Sequence, residues 1–489
     1  MSDLFARVRP LIGDVLEQCA ILVAGAPAAA LLVDYLAACG VRQWVGMAGD
    51  GWLDAQVMRV RARFGDEFDI SVKGLDSVAG VDLAVVVDDA ALACALPITL
   101  PRLAIFTPTN IQPCCVVVAL AGEKLAMPDL ATKKSLGHPP SSEFRTSRTV
   151  DDTHGAEGTN WDWLTAAPLV ALAARSLLLQ GTPFAMATWE AAWARGVRAY
   201  WVGGAHDPTR AAWETPLEVV GGGYRTPLVR RGTLLVVGLG SLGSVAAVAL
   251  APWVERMVLV DPDRVEAANL VRQAYTHAQL GAAKAVALAE SLQAAHPGLV
   301  CVPIASALTD EAQVAALIRE YAVRAALVTT GTMADFAIAR ALRGAGMPHV
   351  AGRCYGRARF WEGIVVDGVA GLSHEQVRRQ VAVGPTPAPT PEEMAAYGAV
   401  GELAGEPATA MECGWAAMWL ARLTAQMMTP ATLREGWLLA RLAASATCFV
   451  GGLVVEPRGD GWVGEGEGGT AYGVGVPGEV HAWSIAELG

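Results

Sequence analysis

Two cations, Arg272 and Lys284, and two amides, Asn269 and Gln273, follow closely on an acid, Asp261, and a glycine-rich passage, GLGSLG at Gly238 to Gly243. These residue types in this order suit a nucleotide. Gly238, Gly240 and Gly243 allow a tight turn, close approach of a phosphate to backbone, and close packing of the helix that follows. An acid about 20 residues further on accepts hydrogen bonds from ribose hydroxyls, which is the position of Asp261. Up to this point a dinucleotide and ATP are equal readings. The grouped Asn, Arg and Lys separate them, because a nucleoside triphosphate leaves a pyrophosphate whose charge must be neutralised.

These side chains need a strand, a turn, a helix and a second strand to hold them. Leu234 to Val237 is a short apolar run suited to a buried parallel strand, and a helix is expected from near Ser241. Its first N–H groups and positive dipole end would face the turn. A second strand ends at Asp261, and the adjoining Asp263 and Arg264 read as a solvated turn.

The run DPDRVEAANLVRQ, followed by GAAKA around Lys284, resembles the E1-like, ThiF/MoeB family of adenylating enzymes over Leu234 to Ala289. The resemblance implies that Asp261 holds the ribose and that Asn269, Arg272 and Lys284 contact the phosphates, with Gln273 closing the same motif. It also implies a magnesium-binding Asp after the strand Ala325 to Val328, where this chain reads TTGTMADF. The nearest acid is Asp335, at the start of a helix where a carboxylate is equally favourable for the fold alone. Family members place an Arg from ahead of the first strand into a neighbouring active site, which nominates Arg7 and Arg9. As solvated helix cations they would need no such role.

The chain has 489 residues, enough for two sizeable domains. An internal repeat divides it. Cys19 to Gly51 lays over the passage from Thr233 with Gly25 opposite Gly238, a shift of 213, and Arg59 then falls opposite Arg272. Thr182-Pro183 matches Thr429-Pro430, and Gly203-Gly204 matches Gly451-Gly452, at shifts of 247 and 248. The expectation is an α/β protein of two Rossmann-like E1/ThiF domains, residues 1–220 and 221–489, split near Glu214 to Gly223 and forming a pseudo-dimer within one chain. The first copy reads Gly25, Pro27 and Ala30 at the glycine positions, Ala48 for the acid and Gln56 for the Asn. Added bulk and a missing acid predict that it no longer binds nucleotide.

Composition bounds the partners. Hydrophobic residues make up 53% and mean hydropathy is +0.36, yet no unbroken apolar run reaches the roughly 18 residues of a membrane span. The N-terminal MSDLFARVRP has no signal-peptide pattern, so a soluble cytoplasmic protein without a membrane role is expected. A net charge of −11 argues against nucleic acid. Nine cysteines lack CxxC spacing, so no structural zinc is expected, and none lies between Cys354 and Cys413, where a transfer thiol would be sought. Cys354, Cys413 and Cys448 read as small core residues. Lys133 to Gly158 and Gly384 to Pro391 read as loop and connector, Arg458 to Gly475 as a long hairpin or flexible loop, and His154 and His374 lack catalytic partners at defined spacing.

The function expected from this reading is ATP-dependent adenylation of a carboxylate, with ATP and Mg2+ as cofactors. By the family resemblance that carboxylate is the C-terminus of a ubiquitin-like protein or ribosomally made precursor peptide. The alternative is a non-catalytic E1-like domain that clamps a peptide for a partner enzyme.

Overall fold

In the computed structural model, the described residues are 4–25, 29–46, 51–65, 68–74, 79–106, 114–125, 161–185, 190, 193–194, 196, 199–202, 217–220, 232–355, 360–366, 373–375, 390–396, 407–428, 447–450, 453–458, 461–466 and 469–473. Pro27, Ala48, His154 and the glycine pairs at 203–204 and 451–452 lie outside them, as do Lys133 to Gly158 and most of Gly384 to Pro391.

The first half holds strands β1 (Ala20–Ala24), β2 (Gln43–Gly46), β3 (Ser71–Gly74), β4 (Leu83–Val87), β5 (Arg102–Phe106), β6 (Cys114–Ala119), β7 (Ala199–Val202) and β8 (Leu217–Val220). Its helices are α1 (Arg9–Ile12), α2 (Ala29–Ala38), α3 (Gly51–Phe64), α4 (Ala90–Ala95) and α5 (Trp161–Leu178). The second half begins with β9 (Thr233–Val237), α6 (Gly243–Leu250), β10 (Arg256–Val260), α7 (Lys284–Ala295) and β11 (Val300–Ile304). It continues through α8 (Glu311–Tyr321), β12 (Val323–Val328), α9 (Ala334–Gly344), β13 (His349–Tyr355), β14 (Phe360–Val366), α10 (Pro391–Ala396) and α11 (Ala410–Met428). The last strands are β15 (Thr447–Val450), β16 (Leu453–Arg458), β17 (Gly461–Gly466) and β18 (Gly469–Gly473).

One sheet runs β3-β2-β1-β4-β5-β6-β7-β8 and the other β11-β10-β9-β12-β13-β14-β15-β16-β17-β18. Over the first seven strands of each half the order is the same. So are the senses: parallel from the edge strand to β5 or β13, then antiparallel twice. Parallel strands covered on both faces must be apolar throughout, and β1, β4 and β9 are buried at every position. The halves part company afterwards. β8 adds parallel to β7, whereas β16, β17 and β18 form a run of antiparallel hairpins, the hairpin form expected for Arg458 to Gly475.

One apolar cluster runs through both halves, taking in Leu36 and Trp163 from the first and Leu250, Trp415 and Trp419 from the second. At its centre α5 and α11 are joined by a buried ion pair, Arg175 Nη2 to Glu412 Oε1 at 2.7 Å. Arg175 also donates through Nη1 to Thr409 Oγ1 at 2.9 Å, and that hydroxyl in turn donates to Glu412 Oε2. Among the described residues no helix is long and apolar enough to cross a membrane.

Candidate functional site

In the second sheet the chain winds outward from β9 through β10 to β11, then returns to place β12 on the other side of β9. Ligands of open α/β sheets bind beyond the carboxyl ends of the strands at such a reversal. Gly238 follows β9 and Thr329 follows β12 at that edge, and the two are stitched together. Thr329 N donates to Val237 O at 2.8 Å, and Thr329 Oγ1 donates to Gly238 O at 2.8 Å.

The three glycines have different reasons to be there. Gly238 has φ +87°, and a Cβ on it would stand 2.7 Å from the Thr329 backbone. A Cβ on Gly243 would stand 1.9 Å from Gly238 O and 2.5 Å from Thr329 Oγ1, so close packing of α6 requires glycine. A Cβ on Gly240 would meet nothing within 4 Å, so no protein packing demands glycine there. The open face suits an approaching phosphate. Helix α6 runs from Gly243, and Ser244 N donates to Gly240 O at 3.1 Å across Ser241, near which the helix is expected to begin; just ahead of it Leu239 N donates to Asp261 Oδ2 at 2.6 Å.

Asp261, the residue after β10, is buried, and its second oxygen accepts from Asp263 N at 2.8 Å, so it braces the glycine turn. Lys284, the first residue of α7, is buried and its Nζ pairs with Asp263 Oδ2 at 2.9 Å. Asp263 is therefore more than a solvated turn residue, while Arg264 Nη1 donates to Gly281 O at 2.7 Å. Lys284, Asp263, Asp261 and the glycine turn form one connected chain of contacts.

Asn269, Arg272 and Gln273 are all buried on the short segment after β10. Asn269 Oδ1 accepts from Glu266 N at 3.0 Å, closing a capping box over Ala267–Asn269. The segment is then sewn to the glycine turn by groups the sequence reading did not single out. Ser244 Oγ donates to Gly240 O at 2.6 Å and accepts from Ala274 N at 3.1 Å. Tyr275 Oη donates to Leu239 O at 2.8 Å, and burial pushes its phenol well above the ordinary value, so it remains a donor. An aromatic two residues beyond the Arg-Gln pair was the available signal for Tyr275.

The two nominated arginines go to different places. Arg7 Nη2 lies 3.2 Å from Glu266 Oε2, at the mouth of the Asn269–Arg272 segment of the second half. Arg9 turns the other way, exposed and 3.6 Å from Glu17 in its own half. Arg59, opposite Arg272 in the repeat, pairs with Asp34 at 2.5 Å, also within the first half. Arg63, four residues on, crosses over: its Nε donates to Leu270 O at 3.0 Å and its Nη2 to Gln273 O at 3.1 Å.

Asp335 stands in the first turn of α9, 3% exposed. Its Oδ1 accepts from Thr330 Oγ1 at 2.6 Å and Thr330 N at 3.2 Å, and its Oδ2 faces Arg353 Nη2 at 3.4 Å. Burial pushes this carboxyl above its ordinary value against the opposing pull of Thr330 and Arg353. Magnesium takes carboxylate and water oxygens in open octahedral geometry, which a sealed carboxylate already shared with a guanidinium does not fit. Among the described residues no group of three His, Cys, Asp or Glu is placed to hold a metal. Cys413 is buried in α11, whereas Cys354 on β13 is half-buried, less enclosed than a core strand residue.

The family model described as ThiF family matches residues 225–367, the stretch that contains the glycine turn, Lys284, Arg272 and Asp335. That match takes in less than a third of the chain, all of it in the second half. The adenylyltransferase and sulfurtransferase MOCS3 of Bos taurus is 45% identical over 92 residues, 18% of this chain and 20% of that protein. Molybdopterin-synthase adenylyltransferase of Escherichia coli (strain K12) is 38% identical over 90 residues, 18% of this chain and 36% of that protein. The chain thus spans a fifth to about a third of these relatives. A crystal structure of E. coli MccB with ATP overlays with a TM-score of 0.32 at 13% identity, covering 51% of this chain and 64% of that one, too loose a likeness to bear on the site.

The geometry at Gly240 and Gly243 gives a separable pair of variants. Gly243→Ala drives a Cβ into backbone oxygen, and overpacking of this kind costs about 1–3 kcal/mol, more where the neighbour cannot yield. Gly240→Ala should leave urea unfolding unchanged while weakening ATP binding. Equal loss of stability in both would show that Gly240 is there for the fold.

Proposed function

We propose that the second half is an ATP-dependent adenylating unit, and that residues 1–220 and 221–489 act together as a pseudo-dimer with one nucleotide site. The observation that carries this reading is the contact chain linking Lys284, Asp263 and Asp261 to the glycine turn, with the Arg272 segment tied to that turn through Ser244 and Tyr275. The adenylyltransferase names of the relatives support it.

In this scheme ATP lies over Gly240 with the ribose at Asp261, and Asn269, Arg272 and Lys284 face the phosphates. A substrate carboxylate oxygen attacks the α-phosphorus, the bond from that phosphorus to the bridging oxygen breaks, and its electron pair leaves with pyrophosphate. The product is an acyl-adenylate. The protein acts by holding the phosphates in line and neutralising their charge. Arg7 is positioned to assist from the first half; Arg9 is not. Magnesium enters this reading only as the counter-ion ATP carries with it, held by phosphates and waters. The acyl substrate we favour is the C-terminus of a ubiquitin-like protein or precursor peptide, consistent with a relative named for modifying molybdopterin synthase. A cytoplasmic site of action belongs to the same reading. In this reading activation stops at the adenylate, since no cysteine lies between Cys354 and Cys413 to take the acyl group.

The sealed Asp335 favours a second reading, a peptide clamp that binds without adenylating. ATP–pyrophosphate exchange decides between them. Label should enter ATP only when a candidate peptide or β-grasp protein with a free C-terminus is present. Binding of peptide without exchange, across the partners encoded nearby, would leave the clamp.

A further inference from the structure

Arg63 reaches from the first half to the Leu270–Gln273 segment of the second, and neither the repeat nor the motif calls for it. Its guanidinium fork reaches two carbonyls, Leu270 O and Gln273 O, three positions apart in the chain with Arg272 between them. Those carbonyls end a short run of tight turns in which Arg272 N and Gln273 N both donate to Asn269 O, at 3.1 and 2.8 Å. Carbonyls at the end of such a turn lack internal donors, and two fixed N–H groups from one rigid plane satisfy both at once.

The fork is itself well anchored. Phe64, the next residue, packs edge-on against Phe68 at 5.2 Å between ring centres, and Phe5 covers both at 6.4 and 5.7 Å. Gly65, with φ +91°, lets the chain leave α3 with His277 so close that a Cβ there would stand 2.7 Å from its ring. The same Phe5 precedes Arg7, whose guanidinium meets Glu266. One aromatic cluster of the first half therefore fixes two cations on either end of the segment from Glu266 to Gln273.

We propose that Arg63 is a positioning residue for the nucleotide site: it holds the Arg272 segment against the glycine turn, so that the first half sets the ATP affinity of the second. This rests on the reading of Arg272 as a phosphate ligand. Arg63 would not touch the nucleotide. Its effect would pass through the two carbonyls, while Ser244 and Tyr275 keep the far side of the segment attached and the fold intact.

The test uses the full chain and three variants, Arg63→Ala, Arg63→Lys and Arg61→Ala. Arg61 lies on the same helix and also donates to a carbonyl, Ile70 O at 2.7 Å, but inside its own half. ATP affinity is read by calorimetry, and amide exchange of Arg272, Gln273 and Ala274 by mass spectrometry. Arg63→Ala should weaken ATP binding on the order of tenfold and speed exchange at those amides, with β9 unaffected. Arg63→Lys, which keeps the charge but cannot span both carbonyls, should behave almost as poorly, and Arg61→Ala as wild type. Low millimolar guanidinium, but not ammonium, should restore affinity to Arg63→Ala. If wild type binds ATP and folded Arg63→Ala or Arg63→Lys binds it equally well, the positioning role is overturned alone. If wild type binds no ATP, the nucleotide reading falls and this inference with it.

Discussion

Lys284→Met should cost the protein most of its ATP affinity and little of its stability. The amine is buried, but its partner Asp263 is 65% exposed at the side chain, so removing the cation leaves a carboxylate that water already solvates. A half-exposed ion pair of this kind contributes little to folding. A charge-assisted hydrogen bond to phosphate is worth about 1.5–3 kcal/mol, so affinity should fall roughly ten- to a hundredfold. Calorimetry on wild type should show one ATP per chain, and the same titration on Lys284→Met should show the loss while urea midpoints coincide. Equal affinity in both proteins would remove Lys284 from the site.

The opposite signature is expected at the junction of the halves. Glu412→Ala strands Arg175 in a cluster where both side chains are about one-tenth exposed or less, and breaking a buried pair from one side costs about 3–5 kcal/mol. Arg175→Met combined with Glu412→Leu removes both charges, and the double variant should recover much of that loss. Urea unfolding checks this: a double variant less stable than Glu412→Ala would refute the pairing. Although burial alone would raise it, the Glu412 carboxyl is held below its ordinary value by Arg175 and Thr409. A depressed carboxyl contributes stability that is complete above the ordinary value of 4.5 and lost as pH falls through the lower folded value. Wild type should therefore lose stability below about pH 4.5 more steeply than the double variant.

Much of the second half was legible because its signals are local. A buried parallel strand must be apolar at every position, a turn that close to Thr329 must be glycine, and both facts appear in the order of residues from Thr233 to Gly243. The repeat was legible for the same reason: Gly25, with φ +107°, and Gly238 occupy the same place after the first strand of each sheet. The roles of Asp263 and of Tyr275 were not, because each depends on a partner brought in by the fold, Lys284 in one case and the Leu239 carbonyl in the other.

The amino-acid sequence by itself determined which residue types are grouped: a glycine turn, an acid and a set of amides and cations whose chemistry suits a nucleotide. Tertiary structure alone decided which residues attend that site from afar. Arg7 and Arg9 are two positions apart and chemically identical, yet one meets Glu266 of the second half and the other meets Glu17 of the first. Arg59 and Arg63 part in the same way, one to Asp34 and the other to the carbonyls around Arg272. Spacing along a chain fixes which face of a helix a side chain occupies. Which surface lies opposite that face is set only when the two halves bury their common core.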